Sequence, residues 1–253
     1  MANVPDHGLT HLRVLLGALL IGVSVVPSAR AETASVAVAA NFTVVAEQLV
    51  ALFMAETGDE VTLSFGATGA LYTQITQGAP FDVLLAADDA RPAKAVADGF
   101  GVDGTVFTYA VGSLALYSTS VDLADGKAAL SGPFEKLAIA DPATAPYGQA
   151  AVETLTALGL LDAVTPKLVT GENITQTLQF VESGNAELGF VAASQVIGKD
   201  HVWIVPAELH EPIKQDAVLL TTGAENTAAT GFLDFLKSDA AVAVIEASGY
   251  TVE

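Results

Sequence analysis

Short β-branched and alanine-rich runs alternate with amphipathic stretches along most of the chain. Residues 35–39 (SVAVA) predict a strand. Residues 42–57 then place Phe42, Val45, Ala46, Leu49, Leu52 and Phe53 on one helical face, with Gly58 as the stop. Strands are predicted over 61–65 and 81–86, with a short helix at 69–76 ending at Gly78. A helix follows at 90–98, and 107–117 predicts two strands meeting near Gly112. The pattern then restarts, with strands at 137–140, 167–170, 188–191 and 201–205. Helices at 149–158 and 174–182, and a short one after 191, separate them. A late strand at 216–221 precedes helices at 226–237 and 240–248. Such alternation predicts an α/β architecture with largely parallel sheets. Because a half-size unit recurs, two lobes are expected, with crossings near 111–114 and 212–218.

The first residues follow other rules. An apolar run over 14–26 is preceded by Arg13 and followed by Pro27-Ser28-Ala29-Arg30-Ala31. A weakly basic start, a short apolar core and an Ala-x-Ala end predict a secretory signal peptide cut after Ala31. The run is shorter than the roughly 20 residues that span a bilayer. The expected location is therefore periplasmic. The chain has no cysteine, so stability outside the cytoplasm must come from a large core.

Charge narrows the partners. The formal net charge is −19; of 10 Lys+Arg, Arg13 and Arg30 lie in the leader, and of 29 acids only Asp6 does. Eight cations then face 28 acids, a net −20, which excludes a nucleic-acid backbone as partner. Enzyme chemistry is poorly supplied. Only His201 and His210 remain outside the leader, and no metalloprotease, serine-hydrolase or Walker motif occurs. Asp88-Asp89 reads as a turn and helix start rather than an acid/base pair. No cofactor and no direct metal-ion ligand are expected.

Four strand-to-helix junctions carry more information: Ala39-Ala40-Asn41-Phe42, Phe65-Gly66-Ala67-Thr68-Gly69, Ala145-Pro146-Tyr147-Gly148 and Gly171-Glu172-Asn173-Ile174. Ligands of parallel α/β sheets bind beyond the carboxyl ends of strands. The first N–H groups of each helix lack internal partners and carry partial positive charge. Several such ends meeting would bind an anion without a cationic side chain. The competing reading is ordinary capping, for which Asn41, Thr68 and Asn173 are all suited. No Lys or Arg occurs over 32–90, and Arg91 is the one Arg beyond the leader, expected at the surface. A carboxylate ligand usually calls for a bidentate Arg; a deprotonated dianion needs only donors. Asp141 would repel a dianion and is expected to face its own turn.

With these residues in hand, the chain resembles the periplasmic molybdate-binding proteins of ABC-type uptake systems over about 35–253. The carriers are VAVAANF (36–42), SFGATGALYTQITQGAPFDVLLAAD (64–88), IADPATAPYGQAA (139–151), TPKL (165–168), GNAELGFV (184–191) and GYTVE (249–253). Their order is specific where no single piece is. The resemblance implies a two-lobed type II periplasmic binding protein fold, each lobe a mostly parallel sheet flanked by helices, joined by two hinge strands. Its divisions are a signal peptide at 1–31, lobe I at 32–112 with 213–253, and lobe II at 113–212. It implies molybdate or tungstate as ligand, an ABC permease as partner and a monomer. Sulfate or another oxyanion, or a sensor role on this fold, is the alternative. The matching ligand positions are Ala40 and Asn41, Thr68, Tyr147, and Ile174 through its backbone N–H. Some members place a Tyr hydroxyl after the Gly-Phe-Val strand, where this chain has Ala192; Tyr147 can supply a hydroxyl instead. Asn41 replaces a common Ser and keeps an amide donor.

Overall fold

The computed structural model describes residues 1–3 and 32–252, so the expected leader, its first three positions aside, lies outside the described residues. The chain lays down β1 (Thr33–Ala39), β2 (Glu60–Gly66), β3 (Val83–Leu85) and β4 (Phe107–Gly112). It continues with β5 (Leu114–Tyr117), β6 (Leu137–Ala140), β7 (Leu168–Gly171), β8 (Leu188–Ala192) and β9 (Val202–Ile204), and returns with β10 (Ile213–Leu219). Between them run α1 (Thr43–Thr57), α2 (Thr68–Thr76), α3 (Ala90–Ala97), α4 (Gly126–Leu130), α5 (Pro146–Ala157), α6 (Leu161–Val164) and α7 (Ile174–Glu182). Helices α8 (Thr227–Phe235) and α9 (Asp239–Ala247) close the chain.

Two sheets result, ordered β2-β1-β3-β10-β4 and β7-β6-β8-β5-β9. In the first, β1 pairs in parallel with β2 and β3, while β10 runs antiparallel to β3 and β4. The second repeats this, with β6 parallel to β7 and β8, and β5 antiparallel to β8 and β9. Each sheet therefore has four strands in one direction and one reversed. The reversed strand is in each case the one entering from the other sheet: β5 directly follows β4, and β10 follows β9. This is the expected mostly parallel two-lobed α/β fold.

Each sheet is covered on both faces, which explains why its strands read as nearly continuous apolar runs. Along β1, Val36 and Val38 face a cluster with Phe42, Leu49, Phe53 and Phe232, while Ala37 faces Leu71, Leu84 and Val218. That is the period-two alternation of a strand. In the second sheet Leu137 and Ile139 join Leu116, Tyr147, Leu155 and Phe190, and Ala138 joins Tyr117, Val181 and Val191 on the other side.

Local differences from expectation have local causes. Leu52 is 43% exposed, and Val50 takes its place in the core, because α1 follows the 42-45-46-49-50-53 stripe strictly. Gly58 ends α1 in the left-handed conformation, φ 80°, as a stop residue should. Helix α5 starts at Pro146, three residues earlier than apolar periodicity indicates, because Pro suits the first helical position. The short α4 and α6 were not expected.

Candidate functional site

All four junctions end parallel strands at one edge of their sheets, and the helices that follow open on a common cavity. It holds about 210 Å³ of atom-free space, counting the part open to solvent. Its wall is built loop by loop: Ala39, Ala40 and Asn41 after β1; Gly66, Ala67 and Thr68 after β2, with Ala87; Ala145, Pro146 and Tyr147 after β6; Asn173 and Ile174 after β7. The structure thus brings Ala40, Asn41, Thr68, Tyr147 and Ile174 together. Both sheets contribute to the wall. Among the described residues, neither Lys nor Arg, Asp nor Glu lies in it.

Which hydrogens are free to meet a ligand follows from what the neighbours already bind. At α5, Pro146 has no N–H, and Gly148 and Gln149 both donate to Ala145 O (2.9 and 3.1 Å). The Tyr147 N–H is what remains of that first turn. At α7 the Asn173 side chain caps Thr175 and Gln176 (3.0 and 3.1 Å), leaving the Ile174 N–H to the cavity. Asn173 is thus a cap, and the ligand-facing donor is its successor. At α2 the capping position is Ala67, not Thr68. The Thr68 hydroxyl accepts the Ala87 N–H (2.9 Å), so its own hydrogen is turned to other acceptors. Asn41 is no cap either; it lies within the 3-10 turn Ala40–Phe42 that leads into α1.

Two expected side-chain donors are redirected. The Tyr147 hydroxyl accepts from Gln215 Nε2 (3.2 Å) and sits where a Cβ on Gly112 would come within 2.1 Å of it. It therefore points into the crossing between the sheets rather than at the cavity. The Asn41 amide donates to Gln215 Oε1 (2.9 Å) and to the Tyr250 hydroxyl (3.0 Å), which uses both its hydrogens. Tyr250 in turn donates to Asn41 O (2.9 Å). Sequence reasoning missed this cluster behind the cavity, whose other members are Tyr109 and Ser194. The available signal was slight: Gln215 stands in the polar stretch Lys214-Gln215-Asp216 just ahead of the apolar Ala217-Val218-Leu219, yet it is fully buried here. Burial pushes the Tyr109 and Tyr147 phenols well above their ordinary value, and Tyr250 up to about 12, so all three are neutral donors and acceptors.

The charged candidates stand apart. Asp141 accepts from Ala143 N–H (3.0 Å) and the Thr144 hydroxyl (3.3 Å), facing its own turn as expected. Arg91 is not a free surface cation: it pairs with Asp88 at 2.8 Å, and its side chain is 27% exposed. Burial raises the Asp88 carboxyl, opposed by hydrogen bonds and charge from Arg91. Ala192 is buried at the end of β8 and does not face the cavity. His201 is exposed, and His210 contacts Glu211 O. The halves touch on either side of the cavity: Gly69 N–H donates to Thr144 O (2.8 Å), and the Thr175 hydroxyl to Ala40 O (3.2 Å).

A family model described as bacterial extracellular solute-binding protein matches residues 34–251. The molybdate-binding protein ModA of Rhodobacter capsulatus is 52% identical over 239 residues, 93% of this chain and 94% of that protein. ModA of Azotobacter vinelandii is 48% identical over 255 residues, 98% of this chain and 100% of that protein. A solved periplasmic molybdate-binding protein of A. vinelandii superposes with a TM-score of 0.84 and 39% identity, covering 87% of this chain and 99% of that one. By fold, by family model and by near-complete alignment, the chain belongs to the bacterial extracellular solute-binding protein family, in the branch of the molybdate-binding proteins.

Proposed function

We propose that this protein captures molybdate or tungstate between its lobes and delivers it to an ABC-type permease, and that it is not an enzyme. The observation that carries the reading is the meeting of four strand-to-helix junctions on one small cavity whose wall contains no charged side chain. The donors would be the backbone N–H groups of Ala40, Asn41, Thr68, Tyr147 and Ile174, with the Thr68 hydroxyl. Neutral donors to an ionised acceptor form bonds roughly twice as strong as neutral pairs. They strengthen further once closure removes water. Selection between molybdate and sulfate would rest on cavity size, since charge and shape agree.

Lobe I would comprise 32–112 with 213–253, and lobe II 113–212, closing about the two crossings. The mature protein would act in the periplasm as a monomer, released by cleavage after Ala31. The test is thermal denaturation with molybdate, tungstate, sulfate, phosphate, citrate or glycine. A ligand of the native state adds about 2.7 kcal/mol at a hundredfold excess over its Kd. Molybdate and tungstate should raise the melting temperature. A rise with citrate or glycine and none with molybdate would overturn the reading.

A further inference from the structure

We infer that Gln215, which does not line the cavity, is the positioning residue that holds the two halves of the anion site in register. The inference rests on the molybdate reading above and concerns how the donors are aimed. Gln215 lies on β10, one of the two strands that enter a sheet from the other half, and is completely buried. Its Nε2 donates to the Tyr147 hydroxyl of the second half (3.2 Å). Its Oε1 accepts from Asn41 Nδ2 (2.9 Å) and from the Tyr109 hydroxyl (3.2 Å), both of the first half. Asn41 and Tyr147 line the cavity from loops of different sheets, after β1 and β6.

Two independent features are built around this contact. The β10–β4 register slips between Gln215 and Asp216, where Tyr109 is the extra residue on β4, a bulge of the kind that re-aims a side chain and here accompanies the Tyr109 hydroxyl bond to Gln215. Gln215 is buried on one face of β10, while its neighbour Asp216 accepts from the Thr108 hydroxyl (2.7 Å). Gly112, the last residue of β4, leaves room for the Tyr147 hydroxyl and Gln215 Nε2, which a Cβ there would approach to 2.1 and 2.6 Å. One amide thus ties the backs of two opposing anion loops to the crossing between the halves.

The test is molybdate titration of the full-length mature protein and two variants, Gln215→Met and Gln215→Glu, with folding checked by circular dichroism. Gln215→Met removes all three hydrogen bonds at similar volume and should weaken binding at least about tenfold. Gln215→Glu should bind nearly normally while protonated, because a carboxylic acid can donate to Tyr147 and accept from Asn41. A buried carboxyl titrates well above its ordinary range. Ionisation would remove the donor and add a negative charge behind the anion. Binding of Gln215→Glu should therefore weaken at least about tenfold between pH 6 and 9, where the unaltered protein stays constant. The ionisable neighbours, Tyr109, Tyr147 and Tyr250, stay neutral across this range, and Asp216 and Asp88 are raised by burial yet present in every variant. Wild-type affinity in Gln215→Met, or a pH-independent Gln215→Glu, would overturn the inference. Should Gln215→Met fail to fold, the pH profile of Gln215→Glu decides alone. Failure of the unaltered protein to bind molybdate would instead overturn the functional reading.

Discussion

At the scale of single residues, Thr68 is the residue of the cavity wall whose side chain is proposed to donate to the anion directly. Its hydroxyl receives the Ala87 N–H, so the lone hydrogen it carries is free for an anion. Thr68→Ser should bind molybdate within about threefold of normal, whereas Thr68→Val should lose about 1.5–3 kcal/mol, the worth of a hydrogen bond to a charged group. Calorimetric titration distinguishes the two, and equal affinities would place the hydroxyl outside the contact. The same scale governs pH. Burial raises the phenols of Tyr109, Tyr147 and Tyr250, the last up to about 12, and a raised phenol keeps its proton to higher pH. Phenolates that would repel a dianion thus form only in strong alkali. Affinity should be flat between about pH 6 and 9, since the proposed donors are peptide N–H groups and a hydroxyl. A titration midpoint inside that window would mean that an ionisable group holds the ligand. The positions Asn41 and Tyr147 were legible from the sequence, but the direction of their side chains was not. Both are pulled away by Gln215, which is 174 residues from Asn41 and 68 from Tyr147, and no local pattern encodes such a contact.

Individual elements separate capping from binding. Asn173 caps Thr175 and Gln176 but not Ile174, so its role is to start α7 and present the next N–H. Asn173→Ala should therefore lower stability by about 1 kcal/mol in denaturant titration. Molybdate affinity should change little, because the Ile174 N–H has no bond to that side chain. A large loss of affinity at unchanged stability would make Asn173 a ligand. Most elements could be read from apolar spacing: α7 begins and ends where the Ile174, Leu178, Val181 pattern does. The exceptions have physical reasons. Helices α4 and α6 are five and four residues long, too short to show a period. Strand β10 begins at Ile213, ahead of the predicted start, because Lys214, Gln215 and Asp216 form a polar stretch that reads as loop.

The whole molecule carries a large negative charge, net −19 over the full sequence, against an anionic ligand. Long-range steering is therefore unfavourable, and short-range donors must dominate. Added inert salt screens the repulsion over a Debye length of about 10 Å at 0.1 M. Association measured by stopped flow should then speed up slightly with salt; a steep fall in affinity would indicate a cationic site. The same cavity ties the two sheets into one functional unit, because Gly69–Thr144 and Thr175–Ala40 join them on either side of it. The most direct test of the account is anomalous diffraction from crystals grown with molybdate, which locates the metal centre independently of any variant. The prediction is one molybdenum peak enclosed by Asn41, Thr68, Tyr147 and Ile174, within hydrogen-bonding reach of their N–H groups through its oxygens. A peak beside Arg91 or at the surface, with this cavity empty, would contradict it.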